Sequence, residues 1–144
     1  NPPFASEEDR LFLIESIKNG YVDAIATDHA PHTPEDKANN APGISGIETS
    51  FSLCHKVFTD NEISLKLLSK LLSASPARFL GLSPRVIRVG MQANLVVIEE
   101  KKSQIDSSLF ESKGKNTPFD KETVYAVIDK TIRKGDILYD NGQN

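Results

Sequence analysis

Apolar positions in the first eighty residues recur mostly at helical spacing. In "SEEDRLFLIESIKN", residues 6–19, Leu11, Ile14, Ile17 and Lys18 share one stripe. Ser6 suits the N-cap, acids fill the first turn, Asp9 stands where a capping box has its acid, and Gly20 suits C′. These signals predict a helix. "VDAIAT", residues 22–27, breaks the helical period and has too little alternation for a strand with one wet face. It reads as a short strand covered on both sides, as in parallel sheets. "TPEDKANNAPGISG", residues 33–46, reads as a loop, and loops of this length without regular structure are usually functional or disordered. Helical patterns follow at 47–58 and 64–73, and Ser75-Pro76 predicts a short helix with proline at N1, ending near Gly81.

Beyond Gly81 the texture changes. "RVIRV", "NLVVIE", "VYAVIDKTIRKG" and "DILYDNG" are short, β-branched and punctuated by glycine, which predicts antiparallel strands. The first eighty residues thus hold several helices and one strand that looks buried on both faces. One strand is not a sheet, and even an isolated pair is marginal. Its parallel neighbours are expected elsewhere, upstream in a longer chain or in another copy. The pattern implies the C-terminal part of a larger α/β domain over residues 1–80 and a small β module over 81–144.

Composition narrows the function classes. The 144 residues are 38% hydrophobic and 26% charged, with a formal net charge of −3, which is ordinary for a globular domain. No stretch has the lysine and arginine density of a nucleic-acid face, and no apolar run approaches a membrane span, so neither partner is expected. The single cysteine, Cys54, forms no internal disulfide framework and fits a reducing cytoplasm. Its neighbour His55 is adjacent on a helical pattern and does not face it, so Cys54 reads as a small core residue.

The candidate chemistry sits at the end of the short strand. Functional groups of parallel α/β architectures gather at the carboxyl ends of strands, and Asp28 stands there. A carboxylate at that place can ligate a metal, take a proton, or do both in turn. His32, four residues on, can ligate metal or hydrogen-bond an anionic substrate. The residues alone leave a plainer alternative open, in which Asp28 caps a turn and both histidines are solvated.

"ATDHAPHTPEDK", residues 26–37, resembles the signature of the dihydroorotases, Asp-x-Ala-Pro-His followed after four residues by Lys: Asp28, Ala30, Pro31, His32 and Lys37 all match. The resemblance continues through "NPP" at 1–3, "APGISGIETS" at 41–50, "SPARFLGL" at 75–82, "VGMQANLVVIE" at 89–99 and "NTPF" at 116–119, in the family's order over nearly the whole chain. It implies the C-terminal part of a metal-dependent (β/α)8 barrel followed by strands of a small β-sandwich. Asn1 would lie after the seventh barrel strand and Asp28 at the end of the eighth.

The implied activity is the interconversion of carbamoyl-aspartate and dihydroorotate in pyrimidine biosynthesis, with zinc as cofactor. Zinc lowers the pKa of water from about 15.7 toward 7 and polarises a carbonyl. The resemblance makes Asp28 a metal ligand and the general base. Asn1 and His32, with backbone groups of Pro42 and Gly43, would contact substrate. Read from their positions, His29 points to the opposite side of the strand from Asp28, for a supporting role behind the site or in packing. His55 is structural or solvated on its helix, Lys37 is a loop contact, and Glu48 caps or braces the loop. A second copy or an aspartate carbamoyltransferase is a partner compatible with the resemblance.

Two positions depart from the pattern. Ala5 stands where the family usually has arginine, and Asn94 replaces the usual aspartate of "ADLVV". The family's His-x-His pair, carboxylated lysine and two further ligand histidines have no counterpart here. A catalytic zinc needs about three protein ligands, so this chain by itself is expected to be inactive. Three readings stand: a fragment of an active dihydroorotase, a related cyclic amidohydrolase of hydantoinase type, or a non-catalytic dihydroorotase-like scaffold.

Overall fold

The computed structural model describes residues 6–83 and 86–143. Its first element, α1 (Glu7–Lys18), starts where the sequence signals put it. The Ser6 hydroxyl accepts from the Asp9 N–H at 3.1 Å, and the Asp9 carboxylate accepts from the Ser6 N–H at 3.1 Å, closing a reciprocal capping box. Gly20 follows at φ 78°, a left-handed conformation suited to glycine. Of the apolar stripe only Ile14 is buried, while Leu11 is 51% exposed.

The predicted strand "VDAIAT" does not form a ladder. A strand is defined by hydrogen-bonded neighbours, and among the described residues this segment has few. The Ile25 N–H donates to Leu71 O at 3.2 Å, and a single parallel bridge joins His29 to Ile44. The predicted loop over 33–46 contains a one-turn helix, α2 (Pro34–Ala38). Thr33 caps it through a second reciprocal box with Asp36, and proline stands in its first turn, a signal that the composition of the loop obscured.

Helix α3 (Ser50–Asp60) begins three residues later than its pattern, after a turn at 47–49. The two remaining helical patterns merge. α4 (Leu65–Ser69), a π turn (Lys70–Ala74) and α5 (Ser75–Phe79) form one run. Pro76 has no N–H to continue an α ladder, and its ring would press on the carbonyl four residues back. The widened turn relieves that, with the Ser75 N–H reaching back to Lys70 O. The helices share the main core: Ile14, Phe58, Ile63, Leu68 and Leu71, with Val22, Ile25 and Cys54 packed against it.

The second half is antiparallel, as its texture predicts. β1 (Leu95–Glu99), β4 (Val127–Arg133) and β5 (Asp136–Asp140) form a three-stranded sheet in the order β1-β4-β5. β2 (Ser103–Gln104) and β3 (Thr123–Val124) form a separate pair. Residues 86–88 of "RVIRV" are not in a strand and have no ladder partner among the described residues, and Arg85 lies outside those described. The β4–β5 turn places Lys134 at φ 57° and Gly135 at φ 98°, the two positive dihedrals of a tight hairpin turn. Asn94 Oδ1 accepts from the Lys134 N–H at 3.0 Å, so the Asn94 departure bears on this turn.

Candidate functional site

Three short segments meet around the turn at Asp28: the turn itself (28–32), the loop 41–48, and a segment from the second half, 110–116. Asp28 is exposed at φ 44°, a left-handed backbone that asparagine and aspartate tolerate better than other side chains. Such outliers cost on the order of 1–3 kcal/mol and persist where the surroundings over-determine them. Its carboxylate makes no hydrogen bond within the described residues, which leaves its oxygens free to act.

The neighbours of Asp28 over-determine it. The Ala30 N–H donates to Ile44 O at 2.9 Å. His29 turns its ring to the same loop, and its Nδ1 accepts from the N–H groups of Gly46 (3.1 Å) and Ile47 (3.2 Å). With Nδ1 as acceptor, the proton of the neutral ring sits on Nε2. His29 therefore ties the turn to the loop.

His32 and the Gly43 backbone come together. An added Cβ at Gly43, at φ 108°, would lie 2.5 Å from Ala30 Cβ and 3.7 Å from His32 Nε2. Glycine is required at that approach for both space and conformation. Lys37 Nζ holds the loop in place by donating to Ala41 O at 2.6 Å and Gly43 O at 2.9 Å. Asn1 lies outside the described residues, as does Ala5.

The segment 110–116 braces the loop from behind. The Ser45 N–H donates to Asn116 O at 2.7 Å, and the Ser45 hydroxyl donates to Gly114 O at 2.5 Å. Glu48 accepts from the N–H groups of Glu111 (2.6 Å) and Ser112 (3.1 Å) and from the Ser112 hydroxyl (2.5 Å). Partial burial works to raise the Glu48 pKa, but these donors and the nearby Lys115 charge outweigh it and hold the carboxyl below its ordinary value. Sequence reasoning missed Ser45, Gly114 and the partners of Glu48. Their contacts span more than sixty residues, as the 69-residue separation of Ser45 and Gly114 shows, and no local periodicity marks them.

His55 and Cys54 stand apart from this site. His55 is buried on α3, with its Nε2 lacking a hydrogen-bond partner among the described residues and 4.0 Å from Glu100 Oε1. It lines a cavity of about 1090 Å3 between α3, α4 and the sheet, together with Phe51, Leu68, Met91 and Ile128. Among the described residues, Asp28, His32, Pro42 and Gly43 do not line that cavity. Cys54 is half-buried, and burial pushes its thiol pKa up, which makes it a poor nucleophile.

A resident metal can be tested against these donors. Asp28 offers hard oxygen donors at an exposed, strained turn, which fits one ligand position of a zinc site. Among the described residues, no group of three or more His, Cys, Asp or Glu side chains could hold a metal ion. Asp28 thus fits one ligand position at most among the described residues. No helix among those residues is long and apolar enough to cross a membrane.

Comparison with known proteins bears on the family and the fold. The dihydroorotase of Clostridium botulinum is 47% identical over 141 residues, covering 96% of this chain and 35% of that protein. The dihydroorotase of Caldanaerobacter subterraneus is 44% identical over 144 residues, covering 96% of this chain and 33% of that protein. Among solved structures, the L-hydantoinase (dihydropyrimidinase) of Arthrobacter aurescens superposes with a TM-score of 0.88 at 28% identity, over 96% of this chain and 33% of that one. The chain thus spans about a third of the length of the curated relatives it matches. A model of the amidohydrolase family matches residues 4–138, nearly the whole sequence, and the chain belongs to that family.

Proposed function

We propose that this chain is the C-terminal third of a zinc-dependent dihydroorotase. In this reading residues 1–80 complete a (β/α)8 barrel, with Asp28 at the end of its last strand, and residues 81–144 form part of a β-sandwich. The observation that carries it is the identity to named dihydroorotases, 47% over 141 residues, spread across nearly the whole chain rather than confined to one motif. A hydantoinase-type substrate is the second reading, supported by the superposition on the L-hydantoinase at 28% identity. The higher identity to dihydroorotases favours the first.

Zinc, when bound, would supply an activated water and polarise the ring carbonyl. The protein's own groups do the rest. Asp28 would hold the metal through its carboxylate, take the proton that the attacking water loses, and deliver it to the ring nitrogen as the C–N bond breaks. Ring closure runs the same path in reverse. Its exposure and lack of a competing hydrogen-bond partner within the described residues leave both oxygens available for these roles. His32, beside the Gly43 backbone, would hydrogen-bond the substrate carboxylate, and Asn1 would add a second contact. The Pro42–Gly43 backbone would form the pocket wall, fixed by Lys37. The remaining metal ligands and any partner, a second copy or an aspartate carbamoyltransferase, belong to the complete protein.

The test is to express the full-length protein, measure bound zinc, and assay dihydroorotate and carbamoyl-aspartate beside a panel of hydantoins and dihydropyrimidines. Zinc-dependent turnover of dihydroorotate with little activity on the panel is expected. Preferential turnover of a hydantoin would move the protein to the second reading. A zinc-free protein inert to every substrate would leave only the scaffold.

A further inference from the structure

Gly114 is buried and packs against the Pro31–His32 peptide. An added Cβ there would meet His32 O at 2.6 Å, His32 N at 2.9 Å and Pro31 C at 2.9 Å. All three are backbone atoms, so no side chain can swing aside to make room. The φ of Gly114 is outside the left-handed region, so the requirement is space and not conformation. The segment is also fastened where it makes this approach: Gly114 O accepts from the buried Ser45 hydroxyl at 2.5 Å, and Asn116 O from the Ser45 N–H at 2.7 Å. One residue of the second half therefore touches the peptide of His32 and, through Ser45, the loop that carries Pro42 and Gly43.

We propose that Gly114 is a positioning residue of the substrate pocket: the 110–116 segment acts as a stop that sets how far the His32 peptide can recede. The inference rests on the reading that His32 contacts substrate. A methyl group at position 114 must push the Pro31–His32 peptide away from the segment. Ala30 and His29 tie the turn to the loop that carries Gly43, so a shift of the peptide changes where His32 stands relative to that loop. Misplacement of a binding group by even about 1 Å can cost orders of magnitude. Asp28 precedes the anchored residues, so the effect should fall on substrate binding more than on the chemical step.

The experiment is steady-state kinetics of Gly114→Ala in the full-length, zinc-loaded protein, on the best cyclic substrate of the wild type. Gly142→Ala serves as control, because its added Cβ meets only Asp140 Oδ1 at 3.5 Å. Loss of folded enzyme lowers apparent kcat at constant KM, whereas displacement of a substrate contact raises KM. The expected result is a KM raised about tenfold with kcat and zinc content within about twofold of wild type, and a control indistinguishable from wild type. A KM for Gly114→Ala within about twofold of wild type overturns the inference. If Gly114→Ala does not fold, Ser45→Ala, which removes the fastening and creates no clash, decides by the direction of the same split. A wild type that ignores dihydroorotate but opens another ring overturns the proposed substrate, and the split on that other ring still decides the role of Gly114. A wild type inert toward every ring overturns both.

Discussion

In the β4–β5 hairpin, hydrogen-bonding partners are close in sequence: Lys130 faces Asp140, Arg133 faces Asp136, and the turn between them is Lys134-Gly135. Around Asp28 the partners are distant. Ile25 reaches Leu71, His29 reaches the N–H groups of Gly46 and Ile47, and Ser45 and Glu48 reach residues 111–116. The hairpin can be formed by its own residues, since its strands and turn agree locally. The site turn is held in a left-handed conformation at Asp28 that its own residues disfavour, and it depends on contacts made far along the chain. Substitutions in the hairpin should therefore change stability and leave chemistry alone, while substitutions in the turn should do the reverse.

The largest expected effect is at Asp28. In the full-length protein, Asp28→Ala removes the proposed base and a metal ligand, and turnover should fall by at least about 1,000-fold. The exposed side chain makes no hydrogen bond among the described residues, so the loss of stability comes from placing alanine at a left-handed φ and should be about 1 kcal/mol. The denaturant midpoint should fall by no more than that implies. Turnover within about a factor of ten of wild type would refute the assigned role. On the other side of the comparison, Gly135→Ala puts a Cβ on a residue at φ 98° in the hairpin turn. It should cost about 1–2 kcal/mol, read as a lower denaturant midpoint at unchanged slope, with kcat and KM as in wild type. A change in KM would show that the two regions are coupled more tightly than their contacts suggest.

The same contrast explains what could be read from the sequence. The capping box at Ser6 and Asp9, the glycine at position 20 and the antiparallel strands at 95–99 and 127–140 follow from residues within one or two turns of each other. The Asp28 turn was legible for a different reason, its match to a family signature, and not from local propensity. Elsewhere the local signal was incomplete. "VDAIAT" has strand texture with its parallel neighbours expected outside these residues, and among the described residues it meets a helix carbonyl at Leu71 and no ladder. The α2 cap was hidden because Thr33 and Asp36 lie in a stretch whose Pro, Gly and Asn content reads as loop. Nothing near "KGKN" signals that Gly114 packs on the His32 peptide, because close backbone approach leaves no periodic trace.

A smaller effect separates the regions by pH. The Glu48 carboxyl is held below its ordinary value near 4.5 by the Ser112 hydroxyl and the N–H groups of Glu111 and Ser112, against the opposing effect of partial burial. A carboxylate depressed in the folded state contributes stability that is present above its unfolded pKa and lost as pH falls through the folded one. Because Glu48 is largely exposed, solvent screening keeps this contribution modest. The denaturant midpoint of the wild type should therefore decline below about pH 4.5, and Glu48→Gln should flatten part of that decline. Gly135→Ala should lower the midpoint equally at all pH values, since no titrating group is involved. If Glu48→Gln follows the wild-type curve in parallel, the brace to residues 111–112 is not made by an ionised carboxylate in solution.

The smallest effect is expected at the one departure from the family pattern that the described residues include. Asn94 Oδ1 accepts from the Lys134 N–H at 3.0 Å, next to the left-handed turn of the hairpin. An aspartate has an acceptor oxygen at the same place. Asn94→Asp should thus keep the bond and change stability by no more than about 0.5 kcal/mol, with kinetic constants unchanged. Asn94→Ala removes the acceptor and should cost about 1 kcal/mol, because the Lys134 N–H then has only water to replace it. The pair of variants isolates the acceptor from the charge. Equal losses for both would mean that the amide nitrogen of Asn94, and not its oxygen, supports the turn, and the departure from the family pattern would then matter to the sheet.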